Sequence, residues 1–415
     1  MENRRREYDI VIFGITGFTG RLVAEYVSNK YGSTNSLKWA VAGRNLEEIR
    51  KICKDSSIKS LGEPIDIISA NSNDKNSLLR MTKRTKVICS TVGPYAKYGT
   101  GLVEACIENK TDYCDISGEV QWIRKLIHAY NDKAVENKVR IVNSCGFDSI
   151  PSDFGVWYVQ REMNQRYGVA SNYVSCRVKN MRGSASGGTI ASILNIIDEV
   201  KKDKKLLRQV ADPYSLNPVG AARGNDKWDQ RSAIFDRDFD CWTIPFIMAG
   251  INTRIVRRSN ALLSFQYGED FRYDEALMLS KKISSTSAKL KGFLMGYLQP
   301  ALSITLLRSL IMPFLPSPGE GPSLQDRENG FYDLRFLARH PEHKEKNIIG
   351  RVYGDMDPGY GSTSKMLAES ALCLAIDKLE KSGGIWTPSS LMGSHLFKRL
   401  ESNAGLSFSI EDQNY

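Results

Sequence analysis

Three glycines, each separated from the next by two residues in Gly14-Ile15-Thr16-Gly17-Phe18-Thr19-Gly20, carry the clearest chemical signal in this chain. A glycine turn that leaves a strand and opens a helix is a cradle for a dinucleotide pyrophosphate. Gly14 permits the tight turn, Gly17 lets the backbone approach the phosphates, and Gly20 allows helix to pack close on strand. The hydroxyls of Thr16 and Thr19 either cap the helix or bond phosphate oxygens. Unpaired N–H groups at the helix start, Phe18 among them, favour an anion. The spacing is that of reductases with a Gly-x-Thr-Gly loop rather than the Gly-x-Gly-x-x-Gly of many dehydrogenases. The competing reading is a purely structural turn.

A second signal is Gly43-Arg44, directly after an apolar run. An acidic residue near this point bonds the ribose 2′-hydroxyl in NAD-specific folds, whereas a guanidinium suits a 2′-phosphate by charge and by its forked donors. NADP(H) is therefore expected over NAD(H), unless Arg44 only stacks on adenine. A third is Thr91-Val92-Gly93-Pro94-Tyr95-Ala96-Lys97-Tyr98. Thr91, Gly93 and Pro94 read as the floor under the nicotinamide ribose. Tyr95 and Tyr98 are candidate proton donors, with stacking on the cofactor as the alternative role. Asp148, at another strand end facing the same crevice, is a third candidate acid. The Tyr-x-x-x-Lys pair of short-chain reductases occurs only as Tyr26 to Lys30, too early in the chain for that device.

The surrounding pattern supplies the elements that must hold these residues. Tyr8 to Phe13 is a short β-branched run ending at Gly14, and Arg21 to Tyr31 has helical periodicity. Strands follow at Lys38–Ala42, Ile65–Ile68, Lys86–Ser90, Thr111–Ile116 and Val139–Asn143, with helices between them, including one started by Asp74. Regular alternation of this kind argues an α/β fold with a doubly wound parallel sheet of Rossmann type over residues 1–150. Ligands then lie beyond the carboxyl ends of the strands.

After Pro151 the pattern changes, and residues 151–355 read as a second, α+β domain for substrate or dimerisation. Tyr173 to Met181 alternates as a strand, and Gly183 to Thr189 forms a glycine-serine turn before an apolar helix, Ile190 to Val200. Alternation near Thr253 to Tyr267 predicts further strand. Residues 293–315 are strongly apolar but are interrupted by Pro300, Arg308 and Pro313. An arginine deep in hydrocarbon disfavours a membrane span. With Lys281, Lys282, Lys289 and Lys291 before it, the segment suits a membrane interface, or else a buried helix pair. Pro316 to Ser323 reads as a loop over the site. Thr363 to Lys381 reads as a long helix ended by Gly383-Gly384, in a segment about 360–395 that packs back on the first domain.

Composition narrows the classes. The chain has 415 residues, 41% hydrophobic and 25% charged, with a formal net charge of +10. That is a globular mix long enough for two cores. The positive balance lacks the arginine-aromatic footprint of nucleic-acid binding, so no nucleic-acid partner is expected. Eight scattered cysteines, no Cys-x-x-Cys and four histidines argue against a metal site. The charged N-terminus lacks a secretory signal, so an intracellular protein is expected.

These residues together resemble the saccharopine dehydrogenase-like oxidoreductase family, in particular its animal branch and the bacterial trans-acting enoyl reductases. The likeness is carried by Phe13 to Gly20, Ala42-Gly43-Arg44, Gly93-Pro94-Tyr95, Asp115 to Glu119 and Gly146 to Asp153. It continues through Ser186 to Thr189, Val256 to Ser259, Pro318 to Pro322 and Gly359-Tyr360, so it spans nearly the whole chain. The resemblance implies a Rossmann domain with an α+β domain. It also implies a lipid-like substrate, a place on lipid droplets or the cytoplasmic face of a membrane, and a tie to lipid or glycolipid metabolism. A homodimer is expected by analogy with such folds. It does not imply saccharopine turnover. Three readings stay open: an NADPH-dependent reductase of a lipid-like substrate, a non-catalytic dinucleotide sensor or scaffold, and a saccharopine-type amino-acid oxidoreductase.

Overall fold

The computed structural model describes residues 6–32, 37–60, 63–183, 187–314 and 321–411. Strands β1 (Tyr8–Phe13), β2 (Trp39–Gly43), β3 (Asp66–Ser69), β4 (Thr85–Ser90), β5 (Asp112–Asp115) and β6 (Arg140–Val142) alternate with five helices. These are α1 (Phe18–Tyr31), α2 (Leu46–Asp55), α3 (Lys75–Thr82), α4 (Thr100–Asn109) and α5 (Val120–Asn137). Every strand pair is parallel, in the order β3-β2-β1-β4-β5-β6. Ile10, Val11 and Ile12 of β1 are fully buried, because helices cover both faces of a parallel sheet. Asp74 caps α3 by accepting from the Asn76 N–H at 3.0 Å.

Helix α6 (Ile150–Tyr167) leads into a second sheet, formed by β7 (Tyr173–Arg182), β8 (Ile234–Asp236), β9 (Cys241–Pro245), β10 (Arg272–Met278), β11 (Phe331–Arg339) and β12 (Ile348–Gly354), with one later strand. Its helices are α7 (Gly187–Lys202), α8 (Ala249–Leu262), α9 (Ser285–Ser303) and α10 (Thr305–Ile311). The chain then returns through α11 (Thr363–Ile376), β13 (Gly384–Trp386), α12 (Pro388–Asn403) and β14 (Leu406–Glu411). The second sheet runs β8-β9-β10-β7-β11-β12-β14 and is mixed: β7 pairs parallel with β10 and antiparallel with β11. The fold is α/β, a Rossmann-type sheet joined to a second, mixed sheet.

The returning segment binds the two layers together. Strand β13 adds to the first sheet beside β6. On α11, Glu369 is fully buried and accepts from Tyr26 and Tyr31 of α1 at 2.7 and 2.6 Å, while Arg399 of α12 meets it at 3.1 Å. Tyr26 is thus spent on a structural contact.

Two expectations need correction. Thr253 to Tyr267 is not strand: most of it belongs to α8, whose residues from Ile251 to Asn260 are all buried. Arg254, Arg257 and Arg258 are buried on that helix with backbone carbonyls or carboxylates as partners, so its polar residues do not mark a solvent face. Helix α11 stops at Ile376 rather than Lys381. The chain turns extended at Asp377, whose carboxylate is gripped by the Arg399 fork at 2.7 Å, and Gly384 opens β13 instead of closing a helix. Pro300, which interrupts the apolar run, is accommodated within α9, and the helix break falls at Ile304. Ser184 to Ser186 of the glycine-serine turn, and residues 315–320 of the proposed covering loop, lie outside the described residues.

Candidate functional site

A cavity of about 300 Å³ opens at the carboxyl ends of β1, β4, β5 and β6. Gly17, Phe18, Thr19 and Gly20 form one end, Thr91, Gly93, Pro94 and Tyr95 its floor, and Gly146, Phe147 and Asp148 another side. The opposite wall is α7, through Gly188, Thr189, Ala191, Ser192, Ile193 and Ile196. Met248, Gly359, Tyr360 and Thr363 complete it. The structure therefore brings most of the sequence-predicted residues to one crevice. Gly14 and Thr16 lie at the turn beneath it, Gly43 and Arg44 stand at the end of β2, and Tyr98 is not among the lining residues.

The three glycines of the loop are required for separable reasons. Gly14 has φ +107°, which L side chains rarely adopt. A Cβ on Gly20 would overlap the Gly14 carbonyl. A Cβ on Gly17 would meet only that carbonyl oxygen at 3.4 Å, an ordinary contact. The fold itself thus leaves room for a side chain at Gly17. No side chain caps α1, so its first-turn amides remain available to an anion. Thr91 fixes the loop from β4, its hydroxyl 3.3 Å from both the Phe13 and Gly14 carbonyls. Arg44 is exposed, and its guanidinium makes no ion pair among the described residues. This cradle, with a free cation beyond β2, fits a phosphorylated dinucleotide.

The three candidate acids differ sharply. Tyr95 is buried, and its ring stacks on Trp122 with centroids 5.5 Å apart. Its hydroxyl donates to the Ser90 carbonyl at 3.1 Å and accepts from the Ile116 N–H at 3.4 Å. Burial holds its pKa well above the ordinary phenol value. Tyr98 is 36% exposed on the short helix Tyr95–Tyr98. Asp148 is half-buried in the cavity wall, with no hydrogen bond or ion pair to its carboxylate among the described residues. Burial alone pushes its pKa up to about 7. Gly118 leaves room for it, since a Cβ there would sit 3.3 Å from Asp148 Oδ2. The next residue, Ser149, has φ +120°, a strained backbone held by the α6 entrance and by its hydroxyl bond to Asn252 at 3.1 Å.

The roles of several residues of this site escape sequence reasoning, although Glu119 and Tyr360 stand in segments that carry the family resemblance. Glu119 is fully buried and accepts from the Tyr95 and Ala96 N–H groups at 2.7 and 3.0 Å, so it holds the floor loop. Ser192 of α7 donates to the same carboxylate at 3.0 Å, which ties the far wall to the floor. The Tyr360 hydroxyl accepts from the Gly187 N–H at 2.9 Å, and its ring meets Phe18 edge-on at 4.7 Å. The Thr363 hydroxyl accepts from the Phe147 N–H at 3.0 Å beside Asp148. These contacts join residues more than 70 positions apart in most cases, and no local spacing announces them.

Residues 10–142 match the NADP-binding domain family of saccharopine dehydrogenase. Over 417 aligned positions the chain is 37% identical to a Mycobacterium tuberculosis protein that carries the provisional name trans-acting enoyl reductase, covering 97% of each. It is 33% identical to the trans-acting enoyl reductase of Mycobacterium ulcerans, over 96% of this chain and 97% of that one. Among solved structures it is similar to apo saccharopine dehydrogenase (L-Glu forming) from Saccharomyces cerevisiae. The TM-score is 0.51 at 14% identity, covering 97% of this chain and 99% of that one. At that identity the likeness concerns the fold alone.

Proposed function

Because this chain belongs to the saccharopine dehydrogenase-like oxidoreductase family, with the trans-acting enoyl reductases, and is an NADP-dependent oxidoreductase, we propose that it reduces an electron-poor carbon–carbon double bond in a lipid-like substrate. The observation that carries this reading is Asp148: a carboxyl with no partner among the described residues, its pKa pushed up to about 7, in a cavity whose opposite wall is largely apolar. The Gly14–Gly20 loop and the α1 amides would hold the pyrophosphate, Arg44 the 2′-phosphate, and Thr91, Gly93 and Pro94 the nicotinamide ribose. NADPH, when bound, supplies a hydride to the electron-poor carbon. Asp148 gives its proton to the adjacent atom, which leaves a carboxylate that solvent reprotonates. A group with a pKa near the working pH is well matched to that transfer. Tyr95 supports the floor, since its hydroxyl is already bonded on both sides. Ile193, Ile196 and Met248 exclude water and pack the substrate's apolar portion.

A lipid surface fits the outer face of the same region. On α9, Leu290, Phe293, Leu294 and Tyr297 recur at helical spacing, and all four are exposed. Leu306 and Leu310 of α10 are 72% and 62% exposed. No helix among the described residues is long and apolar enough to cross a membrane. Arg308, which interrupts the apolar run, is turned back to Asp198 of α7 at 2.7 Å. The exposed lysines Lys281, Lys282, Lys289 and Lys291 flank the patch. An apolar stripe with a basic flank suits an anionic lipid surface, such as a droplet or the cytoplasmic face of a membrane.

The test is NADPH oxidation by purified protein with α,β-unsaturated acyl thioesters of increasing chain length, beside their saturated analogues and a 2-oxo acid plus amine. Turnover of long enoyl substrates alone is the expected result. Turnover only with the oxo acid and amine would overturn the lipid reading in favour of amino-acid chemistry.

A further inference from the structure

Phe18, in the first turn of α1, is enclosed by residues from the far side of the chain. Arg327, on the short helix Leu324–Glu328, places its guanidinium carbon 5.6 Å from the Phe18 ring centroid. Arg21 lies over the same ring at 5.2 Å, and Tyr360 meets it edge-on. Gly321 abuts the ring so closely that a Cβ there would overlap it. The Arg327 backbone is fixed, because its carbonyl accepts from the Asp357 N–H at 3.0 Å and the Gly330 N–H at 3.3 Å.

One donor of its guanidinium is unsatisfied. Arg327 Nε is buried without a hydrogen-bond partner, and the side chain makes no ion pair among the described residues. The nearby Asp357 carboxylate feels its charge but makes no direct ion pair with it, and its oxygens accept from the Tyr360 and Gly361 N–H groups at 2.7 and 3.2 Å. Arg21 Nε is likewise buried and unbonded, with only a 3.8 Å approach to Glu25. Both side chains are partly exposed, but each holds a buried Nε donor that an anion in the cavity could satisfy. The ring that both arginines share lines the cavity beside Gly17, Thr19 and Gly20, where a pyrophosphate belongs.

We infer that Arg327 is a binding residue for the dinucleotide pyrophosphate, brought onto the phosphate loop from outside the first sheet. This rests on the NADP reading of the loop. The two arginines supply the positive charge that the threonine-glycine loop lacks, and Phe18 is the platform that aims them.

The pyrophosphate is common to NADPH and NADH, which separates this role from that of Arg44. Binding of each nucleotide is measured by fluorescence titration for the wild type, Arg327→Ala, Arg327→Lys and Arg44→Asp, with melting curves without nucleotide as the folding control. Arg327→Ala is expected to raise Kd for both nucleotides by the same factor, about ten- to a hundred-fold. Arg327→Lys recovers part of the loss, because the charge remains without the fork. Arg44→Asp weakens NADPH alone. The salt dependence of Kd flattens in Arg327→Ala, since one screened ion pair is gone. Should Arg327→Ala fail to fold, Arg327→Met keeps the stack on Phe18 without the charge and carries the same expectation. Unchanged Kd values would overturn the proposal, as would a loss confined to NADPH, which would assign Arg327 to the 2′-phosphate. A wild type that binds neither nucleotide would remove the NADP reading itself, and this inference with it.

Discussion

Replacing Asp148 by Asn removes a charge from the cavity wall and nearly nothing else. Unfolded, the carboxyl titrates near pH 3.9; folded, burial pushes it up to about 7. Between those values the folded protein holds more protons than the unfolded chain, so this group lowers stability as pH rises from about 4 to about 7. Above pH 7 the whole penalty is present, at most about 4 kcal/mol for a shift of about 3 units, and less to the extent that cavity water screens the group. Asn does not ionise, so Asp148→Asn is more stable than the wild type, and the gap widens by up to about 2.6 kcal/mol between pH 5 and pH 8. Unfolding entropy for a chain of this length is about 0.9 kcal/mol/K, so that gap corresponds to about 3 °C in Tm. Melting curves of both proteins at pH 5, 6, 7 and 8 read it directly, since other titrating groups cancel between them. In the same variant kcat should fall by about a hundred-fold or more, as for loss of a general acid, with NADPH binding unchanged. The wild-type kcat should decline above pH 7 as the proton is lost. A Tm gap that does not move with pH would refute the raised pKa. Undiminished kcat would refute the role of Asp148 as acid.

Three further outcomes test the loop and the surface. Gly17→Ala should leave the unfolding free energy within about 1 kcal/mol of the wild type while raising the NADPH Kd at least about ten-fold, because the added methyl stands where the phosphates approach. Gly20→Ala should instead lower stability by about 1–3 kcal/mol through its overlap with the Gly14 carbonyl, read by chemical denaturation. Co-sedimentation with vesicles containing anionic lipid should recover wild-type protein and lose the double variant Leu294→Glu, Leu306→Glu. Equal recovery would remove α9 and α10 as the lipid-facing surface.

How far the amino-acid order alone reveals this site follows from how local each contact is. The phosphate loop is readable because its strand, turn and helix are contiguous, so Gly14, Gly17 and Gly20 stand in one short stretch. Arg44 and Thr91 are readable because parallel strands deliver their ends to one edge, and the order of alternating runs tells which ends these are. Helix α8 is not readable. Its periodicity is masked by Arg254, Arg257 and Arg258, which lie in the interior and bond backbone carbonyls such as those of Ala211, Tyr273 and Ile385. A helix buried all round has no amphipathic stripe to betray it.

The same distinction explains the two halves of the cavity. The half that would hold the dinucleotide is built from consecutive βα turns, and composition and spacing describe it. The half that would hold a substrate comes from α7, Met248 and the 357–363 turn, which reach the crevice only through long-range contacts: Ser192 to Glu119, Tyr360 to Gly187, Thr363 to Phe147. Short segments there, Ser186 to Thr189 and Gly359-Tyr360, carry the family resemblance, but their spacing does not tell what they touch, because an apolar wall asks only for side chains of suitable volume. Asp148 falls between the cases. Its place after β6 is foreseeable, yet the acid role proposed for it rests on its carboxylate having no partner among the described residues. That absence is a property of the folded surroundings, so on the proposed reading the chemistry depends on the half of the cavity that no contiguous motif builds.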